Sequence, residues 1–94
     1  MVKKYRKVPA IVEAIQWDGH NRDEIMEFAH GQVIFKYTRI DDRKVYGPLT
    51  VQTYEGLMIA HKGDYIIKGV AGEIYPCREE VFEKSFYELT DDEE

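Results

Sequence analysis

Few side chains in this 94-residue chain could do chemistry. A thiol nucleophile exists at one position, Cys77, and imidazole bases at three, His20, His30 and His61. Thiol catalysis needs one of those histidines folded within hydrogen-bond reach of the sulfur, with a third group to orient it. Cys77 follows Pro76 and stands among Ile74, Tyr75, Val81 and Phe82, surroundings that suit a buried, inert sulfur with no histidine beside it. His20 and His61 fall in turns, and His30 closes a helix, where its charge would complement the helix dipole. No two histidines have ligand spacing, and one cysteine cannot furnish a structural zinc site. The expectation is therefore no catalytic residue, no metal and no cofactor.

Carboxylates offer the other enzymatic route. Glu13 interrupts a mostly apolar run, while Asp64 and Glu73 flank a glycine-bounded hairpin. An enclosed Glu13 could serve as an acid. A place at a sheet margin, or beside a lysine or arginine, would make it structural, and that reading is preferred. Gly69 and Gly72 join two strands and open no helix, so they form no phosphate cradle. The tyrosines could stack bases, but a net charge of −5 provides no electrostatic footprint, so no nucleic-acid partner is expected.

The elements that must position these residues are mostly strands. Ala10 to Trp17 is rich in β-branched residues, follows Pro9 and ends at Asp18-Gly19, and it reads as a strand that is central or covered on both faces. Asn21 and Glu24 form a capping-box pattern ahead of Ile25, Phe28 and Ala29, and Gly31 supplies a stop, which predicts a helix over 22–30. Val33 to Thr38, Lys44 to Tyr46, Leu49 to Tyr54 and Leu57 to Ala60 read as strands divided by Asp41-Asp42, Gly47-Pro48 and Glu55-Gly56. His61 to Asp64 reads as a type II turn with Gly63 at the corner needing positive φ. Tyr65 to Lys68 and Glu73 to Tyr75 form a hairpin, with Pro76 ending the second strand or leaving it at an edge. Glu79 to Lys84 reads as a helical turn and Phe86 to Leu89 as a closing strand. The fold class is α+β: a mostly antiparallel sheet of five to seven short strands with one main helix on one face.

An apolar fraction of 44% with 13% aromatics argues for a folded globule, and the length for a single domain over 1–94. Seven tyrosines suit half-buried strands. Lys3, Lys4, Arg6 and Lys7 make one end basic and Asp91 to Glu94 the other acidic, with fraying expected at 1–3 and 90–94. No run reaches membrane-spanning length and no apolar signal core follows the basic start, so no membrane contact is expected. A lone cysteine agrees with a reducing cytoplasm.

Tyr5-Arg6-Lys7 with Pro9, then Val12 to Trp17, resembles the opening of small proteins encoded by tailed phages and prophages. Gly63 to Gly69, Gly72 to Cys77 and Phe82-Glu83-Lys84 are similar to the closing half of the PGDYG motif family. Lys62 stands where that family usually has proline, and Ile66 where the motif name has glycine. The first difference relaxes the turn by about 0.4–1 kcal/mol. The resemblance implies a phage or prophage origin in a bacterial cytoplasm and carries no established activity. The expected function is a non-catalytic accessory protein that binds a host or phage protein through a sheet edge or aromatic patch. Trp17, His61, Asp64, Tyr65 and Glu73 are the expected binding surface, and a homo-oligomer is compatible with it. The alternative is a small-molecule binder or hydrolase using Glu13, Asp64 or Glu73 in a cleft.

Overall fold

The computed structural model of the chain describes residues 1–6 and 8–90. The expectations about Lys7 and the acidic 91–94 segment lie outside the described residues. Among the latter, eight strands and two helices form an α+β fold in which every strand pairing is antiparallel. The strands are β1 (Glu13–Gln16), β2 (Val33–Ile34), β3 (Tyr37–Ile40), β4 (Arg43–Tyr46), β5 (Leu49–Thr53), β6 (Gly56–Ala60), β7 (Tyr65–Lys68) and β8 (Ile74–Cys77). The helices are α1 (Arg22–Phe28) and α2 (Glu79–Ser85). Instead of one sheet there are three, ordered β1-β7-β8, β2-β5-β6 and β3-β4.

Local chemistry explains the turns. Asp41 and Asp42 take φ of 51° and 63°, the two left-handed residues of a type I′ corner, so β3 and β4 close as a tight ribbon. After β7, Gly72 N–H donates to the Gly69 carbonyl at 3.0 Å and Gly69 N–H to the Glu73 carbonyl at 2.8 Å. Gly72 at φ +82° supplies the left-handed residue of this bulged loop. The Glu73 side chain folds back across Gly69, filling the space a Cβ there would need.

Helix α1 ends by a different device from the one expected. His30 N–H donates to the Glu27 carbonyl (3.4 Å) and Gly31 N–H to the Met26 carbonyl (3.3 Å), the paired bonds of a Schellman motif. His30 itself is the left-handed residue, at φ 50°, and Gly31 comes one place later. Asn21 makes no side-chain cap either. Its amide donates to the Gln16 carbonyl (2.8 Å) and its Oδ1 accepts the Asp18 N–H (3.0 Å), so it braces the loop between β1 and α1.

Three strand expectations need correction. Ala10 to Trp17 is a strand only over β1, and β1 lies at a sheet edge, with Glu13 exposed there. Val33 to Thr38 divides at Phe35-Lys36, because the Phe35 ring turns to meet Trp17 edge-on at 5.3 Å. Phe86 to Leu89 pairs with no strand; Phe86 is extended, and its ring stacks on Phe82 at 4.8 Å. Pro76 lies within β8, at the edge of its sheet, where its missing donor breaks no ladder.

The core forms between the sheets and α1. Trp17, Ile25, Ala29, Val33, Leu49, Val51, Ala60, Ile66 and Ile74 are buried together. The aromatic series continues outward from Trp17 through Phe35 to Tyr46 and Tyr37, tying the β3–β4 ribbon to this core by edge-to-face contacts.

Candidate functional site

The expected binding surface divides on inspection into structural parts. Trp17 is 0% exposed and belongs to the core, so it presents no aromatic face to a partner. Its backbone holds the signature turn: Gly63 N–H donates to the Trp17 carbonyl at 2.7 Å, and Trp17 N–H to the Asp64 carbonyl at 2.9 Å. Within the turn, Asp64 N–H reaches the His61 carbonyl (2.9 Å), and Asp64 Oδ2 accepts the His61 N–H (2.9 Å). Gly63 takes φ +97°, as a type II corner requires. The Gln16 amide donates both to the Gly63 carbonyl (3.0 Å) and to Glu79 Oε2 (2.9 Å), which links β1, the turn and α2.

Tyr65 is equally committed. Its ring lies flat on Phe82 at 3.8 Å, and Phe82 stacks in turn on Phe86, so α2 seats itself through this column. Of the five residues expected to form the surface, only His61 is exposed; Asp64, Tyr65 and Glu73 are half-buried. The glycine-rich signature is thus a device for turn geometry and register.

The three carboxylates expected to act together, Glu13, Asp64 and Glu73, do not share a cleft. Glu13 lines a shallow depression with Glu24, Glu27 and Phe28, while Glu73 lines a separate groove with Tyr54, Met58 and Tyr75. Asp64 Oδ2 is engaged by the backbone N–H of His61. Cys77 is half-buried, more open than expected, and its sulfur donates to the Arg78 carbonyl at 3.6 Å. Burial raises its thiol pKa, with the charges of Asp64 and Glu80 adding to the effect, so the nucleophilic thiolate is disfavoured. Among the described residues no group of three or more His, Cys, Asp and Glu side chains could hold a metal ion. No helix there is long and apolar enough to cross a membrane.

A different region has the character of a recognition site. Strand β6 pairs with β5 on one side only and forms the edge of its sheet. Three consecutive apolar residues on it are open: Leu57 at 67%, Met58 at 40% and Ile59 at 61% exposure. Leu57 and Ile59 face away from the core, beside Gln52 and Thr50 of β5. Ile34 of β2, also exposed, pairs with that same Thr50, so Ile34 and Ile59 flank Thr50 in a row across the outer face from β2 to β6. Met58 points the other way, into a groove of about 210 Å³ shared with Ile74 and Tyr75 of β8. Among the described residues no backbone hydrogen bond reaches Leu57, Met58 or Ile59 from outside the β5–β6 ladder. Sequence reading placed this strand but not its exposure. The available signal was the lack of any charged residue or proline across Gly56–Ala60, the usual means of blunting an edge.

Comparison of the chain with protein-family models, with curated proteins and with solved structures finds no match.

Proposed function

We propose that this chain is a non-catalytic protein-interaction module that recognises another polypeptide by taking it as an added strand along β6. The observation that carries this reading is the open edge itself, with Leu57, Met58 and Ile59 exposed and, among the described residues, no strand but β5 paired with it. Strand addition uses such an edge directly: main-chain hydrogen bonds hold the partner, and flanking side chains select it. The resemblance of Gly63 to Gly69 and Gly72 to Cys77 to the PGDYG motif family is the ground for an accessory role in a phage or prophage, in the bacterial cytoplasm.

The test uses tagged wild-type protein and a Leu57→Lys/Ile59→Lys variant as baits in a bacterial lysate that also contains untagged copies of the chain. Both positions are exposed, so the variant should keep its fold. Polypeptides held by the wild type should be lost from the variant. Equal retention by both would refute the assignment to β6.

A further inference from the structure

We infer that the strand taken by the β6 edge is β6 of a second copy of this chain, paired antiparallel about a two-fold axis at Met58; this rests on the strand-addition reading above. Five residues form the strand, with Met58 at its centre. A two-fold axis there pairs all five, setting Met58 opposite Met58 and Leu57 of each copy opposite Ile59 of the other. Directly opposed side chains on one sheet face are the contacts that stabilise a pairing. Here they would be Leu57–Ile59 twice over, the residues most exposed on the strand.

The flanks decide between a second copy and an arbitrary partner. Gly56–Ala60 contains no charge, so self-pairing opposes no like charges within the strand. Glu55 precedes it, and His61 and Lys62 follow it. Antiparallel self-pairing at Met58 brings the turn residue Glu55 of each copy toward His61 and Lys62, which follow the strand, of the other. The strand is therefore complementary to itself at both ends, as an isologous interface must be. Sheet β2-β5-β6 would become six-stranded, within the ordinary range. The row Ile34, Thr50 and Ile59 would continue across the seam into Leu57 of the second copy. The net charge of −5 on each chain opposes association at low ionic strength, so the measurement belongs near 0.15 M salt, where screening acts within about 8 Å.

Sedimentation equilibrium of the full chain tests the inference. Wild type should pass from monomer to dimer as concentration rises, and Leu57→Lys should raise the dimer Kd by about tenfold or more, the substitution being felt at both symmetric positions. Glu55→Lys and Lys62→Glu should each weaken the dimer, and the double variant should restore most of it. Met58→Cys in a Cys77→Ala background should give a disulfide-linked dimer with oxidised glutathione, since only residues at the axis face their own counterparts. Leu57→Cys or Ile59→Cys in that background should cross-link poorly. A folded monomer at all concentrations up to about 1 mM, the weak end of specific association, would overturn the inference. So would a dimer indifferent to Leu57→Lys, or one that cross-links better through position 57 or 59. A monomer whose Leu57→Lys/Ile59→Lys variant still loses lysate polypeptides would overturn the second copy alone and leave strand addition standing.

Discussion

Strands β6 and β7 are similar in apolar content and opposite in fate. β7 lies between β1 and β8, and its Ile66 and Ile67 are buried on opposite faces. β6 carries Leu57, Met58 and Ile59 in the same manner, yet all three are exposed, and among the described residues no strand pairs with its outer side. The apolar run of β7 is explained by the fold that surrounds it. That of β6 is not covered by any described residue, and an exposed apolar edge is the feature on which the proposed strand addition rests. The same contrast separates signature from site. The glycine-bounded segment around β7 spends its polar groups internally, through Gln16, Asp64 and Glu79.

Substitutions in the two strands should break apart most clearly in stability. Ile66→Ala should cost about 2–5 kcal/mol by chemical denaturation, because it opens a cavity in the core. Leu57→Ala, measured on dilute protein, should stay within about ±0.5 kcal/mol. A comparable loss from both would mean that β6 is covered in solution by its own chain.

The turn that leads into β7 comes next. Gly63→Val should cost on the order of 1–2 kcal/mol, since a β-branched residue resists positive φ. A Cβ there would also stand 3.1 Å from Glu79 Oε1, so the carboxylate must give way. Asp64→Ala should cost about 1 kcal/mol through the lost bond to the His61 N–H. Because this turn also carries His61 and Lys62, either change should weaken association through β6, though less than Leu57→Lys does.

Alkaline pH gives the smallest effect. Burial raises the pKa of Cys77, and burial followed by the charges of Glu73 and Cys77 raises that of Tyr75. Both groups are neutral when protonated, so the unfolded chain releases these protons first as pH rises. Their stabilisation is complete below the unfolded values, about 8.5 and 10, and is lost as pH climbs through the folded ones. Wild type should therefore weaken above about pH 8.5, while Cys77→Ala should begin to weaken only nearer 10. Denaturation curves across that range would show it. Iodoacetamide should also modify Cys77 more slowly in the folded protein than in urea.

Short-range chemistry was legible in the sequence and long-range pairing was not. Helix α1, the Gly63 corner, the bulged link from Gly69 to Gly72 and the edge position of Pro76 each follow from a few adjacent residues. The sheet that a strand joins depends on distant partners: β1 pairs with β7, setting Gln16 opposite Tyr65, and no local pattern announces this. Hence the pattern of Ala10 to Trp17 suits a central or covered strand although β1 is an edge. Trp17 was read as surface for a related reason. Its large ring is attractive for binding, but the contact that claims it, Phe35, comes from a strand break that periodicity does not mark. The exposure of β6 was hidden in the same way, since Leu57 to Ala60 reads as well for a central strand as for an edge.

Amide hydrogen exchange in β6 and β7, followed from dilute to concentrated protein, tests the central claim most directly. In β7 the amides should be protected at every concentration. In β6 those not held by β5 should exchange quickly when dilute and become protected as concentration rises. Fast exchange of those β6 amides at every concentration, or full protection already at the lowest, would contradict the account.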